Sequence, residues 1–241
     1  MSKNKLMATT LVLVMSLVVM VITPGYSAEK TIGLLGSLGL PQSQNNFSDL
    51  YGTGFGFGLE YKRNLINKTN LVLGFSHTIY AEDTEALASF YRDVMQANCN
   101  ARWWLTTQAK IGSAAATGGG LAVQTFSAAI SQYLINSEVG VYLVAGPGLY
   151  LYRWDELTVT APRTVYDPAK DTTTELEETL KRRESVKFVP AFFGGLGLEF
   201  NVLSNISLFV EGKYSYVRNP REGSGSYGNI ITGVGGVRYS F

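Results

Sequence analysis

The sequence predicts an all-β protein, a closed antiparallel transmembrane β-barrel of 8 to 10 strands with short periplasmic turns and longer extracellular loops. Three observations predict it: segments that alternate apolar and polar residues, a secretory leader, and charges or glycines that interrupt every later apolar stretch. Alternation at period two places successive side chains on opposite faces of a strand. An apolar face opposite a polar one is typical of a wall between lipid and a polar lumen.

The amino terminus has the order of a secretory signal peptide. Two lysines precede an apolar run over 11–22, and small residues follow Pro24. The run is shorter than the roughly 20 residues of a membrane-spanning helix. We therefore predict a cleaved signal peptide over 1–28 and a single barrel domain over 29–241. The alternative is a retained anchor helix.

The composition of the chain excludes some classes of partner and cross-link and is typical of a barrel. The formal net charge of +1 gives no indication of a nucleic-acid partner. Cys99 is the only cysteine, so an intramolecular disulfide is excluded. The 26 glycines and the 12% of aromatic residues are typical of barrel strands, where small lumenal residues let the wall curve.

Ten segments are candidates for strands of the wall. They cover 31–40, 51–63, 71–80, 93–105, 109–117, 121–135, 139–154, 187–201, 206–218 and 229–241. Eight strands result if only one of 93–105 and 121–135 lies in the wall. If both do, 109–117 must also be a strand, because such a barrel needs an even count. Ten strands are favoured because they avoid a run of about 30 residues without secondary structure. Alternation within 93–105 places Cys99 toward lipid.

The clearest strand is 51–63, in which Tyr51, Phe55 and Phe57 alternate with glycines. The last strand ends with Val237, Tyr239 and Phe241 on one face.

The segment over 155–186 is the longest polar insertion, with eight acidic and five basic residues and hence a net charge of −3. It is predicted to be a solvated loop, with a short helical turn over 175–183. A second outer loop is predicted over 219–227, where glycine and serine dominate.

The polar faces of the strands carry seven charged residues, which are predicted to form a lumenal charge network. They are Glu60, Lys62, Arg102, Glu199, Glu211, Lys213 and Arg238. Side chains about fill an eight-stranded lumen, so opposite charges would pair and plug it. A wide pore is therefore not predicted, although a proton or solute path along these groups is an alternative. The polar faces of the first, second and last predicted strands are mostly Gly, Ser and Thr, which favours a lumen over the solvent face of a soluble lipocalin-like barrel.

Three strand segments, 54–61, 141–150 and 208–216, combine glycine and aromatic residues in a way that resembles small bacterial outer-membrane β-barrels, the family of OmpA-like and OmpW-like barrel domains. The resemblance implies a location in the cell outer membrane and contact with its lipid. It also implies that Val237, Tyr239 and Phe241 form an assembly signal for the barrel-assembly machinery. Strand-like segments around 93–120 depart from the usual eight-strand layout.

The leading functional hypothesis is a non-enzymatic barrel, either structural or a narrow porin-like passage for small solutes. The second is a surface receptor or adhesin that binds an unknown ligand through 155–186 and 219–227. The third is a lipid-modifying enzyme that uses His77, the only histidine, which alternation places on the lipid side. No catalytic residue, cofactor or metal site is predicted, because no second His or Cys pair exists.

Overall fold

The computed structural model describes residues 29–42, 47–66, 68–101, 108–168, 170–218 and 227–241. The predicted signal peptide lies outside these residues. The described strands are β1 Lys30–Gln42, β2 Tyr51–Ile66, β3 Thr69–Glu82, β4 Gln108–Ile111, β5 Ala115–Gly118, β6 Leu121–Ile135, β7 Val139–Trp154, β8 Leu157–Asp167, β9 Thr172–Arg182, β10 Ser185–Leu203, β11 Ile206–Arg218 and β12 Tyr227–Ser240. The described helices are α1 Phe47–Leu50 and α2 Thr84–Ala101.

Eight strands form one closed antiparallel barrel in the order β1-β12-β11-β10-β7-β6-β3-β2. The first strand closes the wall, because it pairs with the last strand on one side and with β2 on the other. The predicted closed barrel is thus confirmed. Eight strands form the wall, and the preference for ten was wrong.

The two ends of the barrel differ. β1 begins and β12 ends at the same end, which also carries the short turns between β2 and β3, β6 and β7, and β10 and β11. We call this the terminal end. The opposite end, the loop end, carries the long segments 83–120 and 155–184. This division of short and long connections is typical of membrane barrels.

The outward face of the wall is an apolar belt. Large apolar side chains project from it and are exposed, among them Ile32, Leu34, Phe55, Phe57, Leu59, Phe192, Leu196, Val210 and Val237. So wide a band of exposed aliphatic and aromatic side chains is what lipid requires of a barrel wall. None of the helices in the described part of the chain is both long enough and apolar enough to cross a membrane.

Tyr51 departs from the predicted pattern. The pairing of β2 with β3 shifts register between Tyr51 and Gly54. Such a bulge moves the residues on one side of it to the other face of the strand. Tyr51 is therefore buried, whereas Phe55 is exposed to the lipid side.

The prediction of a wall strand over 93–105 was wrong, because residues 84–101 form α2 and residues 102–107 lie outside the described chain. Met95 and Cys99 are four residues apart, so they satisfy the helical period as well as alternation. Leu87 and Tyr91 extend the same four-residue spacing and pack inward with them. Cys99 accordingly faces a protein cluster, and its predicted place toward lipid was also wrong.

Asp83 caps the amino terminus of α2. Its Oδ1 accepts a hydrogen bond of 2.9 Å from the backbone N–H of Ala86, which has no partner within the helix. We expect Asp83→Ala to destabilise the helix by about 1 kcal/mol. Hydrogen exchange of the α2 amides should accelerate, whereas exposed Asp93→Ala, in the middle of the helix, should leave it unchanged. Equal exchange rates in both variants would contradict the role of Asp83 as the N-cap residue of α2.

Residues 109–117 and 155–186 were also predicted wrongly, as a wall strand and as a loop. They contribute β4, β5, β8 and β9 to a second sheet, in which β8 pairs with β9 along one edge and with β4 and β5 along the other. The predicted helical turn over 175–183 lies largely in β9. Eleven cross-strand pairs with β8 outweigh the helix propensity of its Glu, Leu and Lys residues.

The second sheet and α2 share a small core at the loop end. Met95 of α2 packs against Ile111 of β4 and against Leu157, Val159 and Ala161 of β8, all buried. We call α2, β4, β5, β8 and β9 together the cap. The cap is therefore a folded unit with its own apolar cluster.

Candidate functional site

The lumen is the candidate site, since the barrel brings charged side chains together there. Six of the seven residues predicted for the charge network lie in its wall strands: Glu60, Lys62, Glu199, Glu211, Lys213 and Arg238. Five are buried, and Lys213 is partly exposed. Arg102, the seventh, lies outside the described residues. The three carboxylates and three cations balance, so the described network is electrically neutral.

Arg238 is the centre of the network and is only 1% exposed. Its Nε donates to Glu60 Oε1, and its Nη1 lies 2.6 Å from Glu199 Oε2. The guanidinium also lies 3.7 Å from the ring centroid of Phe209, a cation–π distance. The side chain thus links strands β2, β10 and β12 across the lumen.

Glu199 joins this centre to the terminal end. Its Oε2 also accepts from Lys62 Nζ at 3.0 Å and from the Tyr133 hydroxyl, while Ser207 Oγ donates to Oε1 at 2.6 Å. A buried carboxylate needs such a full set of donors, because burial removes the hydrogen bonds of water.

A second group of charges surrounds Glu211. The Tyr142 hydroxyl donates to its Oε2 at 3.0 Å, and Lys213 pairs with its Oε1. Tyr142 also lies beneath the Arg238 guanidinium, at 5.2 Å from ring centroid to Cζ, so the two groups meet at this residue. The tyrosine and serine partners were not predicted from the sequence. Alternation along β7 could have predicted one of them, because it places Tyr142 on the same inward face as Tyr150 and Tyr152.

Aromatic side chains fill the lumen nearest the loop end. Tyr150, Tyr152 and Trp154 project inward from β7, and the neighbouring ring centroids lie 6.3 and 5.6 Å apart. Tyr80 and Tyr51 join them in one buried cluster. We call these five residues the aromatic plug.

The cap holds the aromatic plug in place. Leu87 of α2 is fully buried in the same cluster. The Tyr51 hydroxyl donates to the Gly119 carbonyl at 3.2 Å, in the turn that follows β5. Gly119 has a φ of 98°, a conformation that favours glycine. Apolar packing and a buried hydrogen bond thus join the cap to the barrel.

Two cavities remain in the described lumen. One, of about 70 Å³, lies between the charge network and the aromatic plug and is lined by Ser37, Glu60, Thr78 and Lys213 among others. The other, of about 340 Å³, opens at the terminal end. We call the larger one the vestibule. The charge network separates the two cavities, because Glu60 lines the smaller one and Lys62 and Glu199 line the vestibule.

The residues of the predicted assembly signal lie on the outward face. Val237, Tyr239 and Phe241 are all exposed, and the last two rings stack with centroids 6.4 Å apart. Their recognition by the assembly machinery stays a prediction.

His77 also lies on the wall, opposite Phe57 of β2, with ring centroids 5.7 Å apart. Among the described residues no group of three or more His, Cys, Asp or Glu side chains could hold a metal ion. The absence of an enzymatic activity and of a cofactor stays a prediction.

A closed antiparallel wall, an outward apolar belt and a lumen of paired charges define a transmembrane β-barrel, the class that crosses outer membranes.

No protein-family profile matches the sequence, and no curated protein matches it. Among solved structures, the chain is similar to Neisserial surface protein A, with 15% identity and a TM-score of 0.47 over 88% of this chain and 97% of that one. It is also similar to the attachment invasion locus protein Ail of Yersinia pestis, with 14% identity and a TM-score of 0.43 over 90% of this chain and all of that one. For OprG of Pseudomonas aeruginosa the identity is 9% and the TM-score 0.42, over 89% and 96% of the two chains. Likenesses at this level assign no activity.

Proposed function

We propose that this protein is an outer-membrane barrel that anchors a recognition cap at the cell surface, which is the receptor or adhesin role among the predicted ones. The observation that carries this proposal is the closure of the loop end by the aromatic plug and α2. A barrel whose lumen is filled at one end and ion-paired in the middle serves as a rigid support. The folded cap is then the part of the described chain that is built to meet a partner.

The charge of the cap indicates the kind of partner. Residues 155–186 have a net charge of −3. Glu175 and Glu177 are both exposed and lie on the same face of β9, two residues apart. A partner with a basic surface would be attracted to this face, and the attraction would weaken with salt.

Binding of charged polymers tests the direction of this attraction. We expect the full chain in detergent micelles to bind immobilised polylysine, not heparin, with an affinity that falls as salt rises. The double variant Glu175→Gln and Glu177→Gln should weaken binding by about tenfold, equivalent to about 1.4 kcal/mol. Glu138→Gln, an exposed change at the terminal end, is the matched control. Equal binding by all three proteins would contradict the role of the cap.

A narrow passage for small solutes is the second candidate, and the two lumenal cavities favour it. Single-channel recording separates the candidates. A support for a cap should give no discrete conductance steps in planar bilayers, because the charge network around Arg238 and the aromatic plug obstruct the described lumen. Reproducible steps from folded, heat-modifiable protein would overturn the proposal and favour the passage.

A further inference from the structure

The vestibule has an unusual lining for the mouth of a barrel. Asparagines from three different strand pairs and their turns surround it, namely Asn64, Asn70, Asn136, Asn201 and Asn205. Serine and threonine hydroxyls lie between them, from Thr31, Ser137, Ser204, Ser207 and Ser240. Turn chemistry accounts for the asparagines at 136 and 205. It does not account for the other three, which lie within strands, where asparagine is disfavoured.

Asn70 gives the strongest indication that the lining serves a ligand. Its side chain is 3% exposed and lines the vestibule. Its Oδ1 accepts a hydrogen bond of 3.3 Å from Asn64 Nδ2, whereas its own Nδ2 has no partner among the described residues. A buried amide donor without a partner is costly, so such groups are usually satisfied by something bound nearby.

The charges around the vestibule exclude a strongly ionic ligand. Two cations, Lys62 and Lys68, face two carboxylates, Glu29 and Glu199. Lys62 and Glu199 already form an ion pair of 3.0 Å. Apolar side chains are also few, since Leu203 and Ile206 are the aliphatic residues of the lining. Neither an anion nor a lipid chain matches this chemistry.

We propose that the vestibule binds a neutral carbohydrate. Each amide offers two N–H donors and a carbonyl acceptor, and each hydroxyl can do both. Such groups pair with the adjacent hydroxyls and acetamido groups of sugars. The volume of about 340 Å³ lies in the range of small-molecule sites. The terminal end faces the periplasm in the predicted topology, so the ligand is a free sugar or a sugar unit of the cell-wall glycan. This proposal does not depend on the role of the cap.

Titration calorimetry of the full chain in micelles tests the site, with the N-acetylglucosamine disaccharide and maltose as probes. We expect saturable binding of at least one of them. Asn70→Leu, which removes the amide at similar volume, should weaken it by about tenfold. Asn136→Ala, in an exposed turn, should weaken it as well and keeps the test independent of folding. Asn229→Leu is the matched control, because it lies in β12 at the loop end.

A second measurement distinguishes the two sources of the sugar. Co-sedimentation with purified cell-wall glycan that is lost in Asn136→Ala indicates the wall, whereas binding of the free disaccharide alone indicates a soluble sugar. The proposal is overturned if neither probe nor glycan binds, or if both Asn70→Leu and Asn136→Ala bind as the unchanged protein does. In that case the vestibule holds water only.

Discussion

Replacing Arg238 by Met should destabilise the barrel by about 3–5 kcal/mol, the largest effect expected of any single charge among the described residues. The side chain is 1% exposed and contacts Glu60 and Glu199, which are themselves buried. Removing the cation leaves the buried Glu60 carboxylate without the ion pair described for it, and leaves Glu199 with Lys62 as its remaining cation. The Phe209 ring, at 3.7 Å from the guanidinium, loses its cation–π contact too.

Urea unfolding of the refolded protein in micelles measures this effect. Arg153→Met is the matched control, since Arg153 pairs with Glu184 on the surface, where both side chains are more than half exposed. An exposed pair of this kind contributes about 0–1 kcal/mol. Adding Glu60→Gln to Arg238→Met should restore part of the stability, because it removes the carboxylate that has lost its ion-pair partner. Similar losses for Arg238→Met and Arg153→Met would show that the network does not hold the lumen together.

The network also explains why a chain with charged residues on its wall strands can form a closed barrel. Three carboxylates and three cations neutralise each other within a few ångströms, and tyrosine and serine hydroxyls donate further hydrogen bonds to Glu199 and Glu211. The same pairing fixes the lumen in one arrangement, since each charged group would lose its partner if a strand shifted register. Specificity of register is therefore a second consequence of these ion pairs, besides closure.

Alternation along the wall strands was sufficient to predict the barrel, because a closed wall gives every strand one lipid face and one lumenal face. The same signal misassigned α2. Met95 and Cys99 are four residues apart, which is an even number and also about one helical turn. The two residues therefore lie on one face of either a strand or a helix. Leu87 and Tyr91, which continue the four-residue spacing, are what favour the helix. The strand was predicted from residue 93 onward, so its bounds did not include them.

The cap could not be predicted from local pattern, because tertiary pairing decides its structure. β9 contains three Glu, two Leu and one Lys, residues of good helix propensity, yet it is a strand because β8 offers it a complete antiparallel partner. In the lumen, the charged residues and their mutual pairing were predicted from the sequence, but their tyrosine and serine partners were not. Tyr133 and Glu199 are 66 positions apart in the chain, and they meet because β6 and β10 both pair with β7.

Two glycines of the closing strand should respond in opposite ways to a single added methyl group. A Cβ at Gly236 would overlap the carbonyl oxygen of Leu34 on the neighbouring strand and lie 2.8 Å from Phe209 Cε1. The backbone of β1 and the ring beneath Arg238 would both have to move. We expect Gly236→Ala to destabilise the barrel by about 1–3 kcal/mol, the range for overpacked interiors, and to lower the yield of folded protein.

Gly233, three residues earlier in the same strand, is the matched control because a Cβ there meets no atom within 4 Å. It is exposed on the outward face, where a methyl group would contact lipid. Gly233→Ala should therefore change stability by less than about 0.5 kcal/mol, or stabilise slightly because alanine restricts the unfolded chain. Heat-modifiable migration and urea unfolding measure both variants. Equal stability of the two variants would contradict this explanation. It would mean that the close approach of β12 to β1 does not require glycine at position 236, and that the contact with Phe209 beneath Arg238 has no structural role.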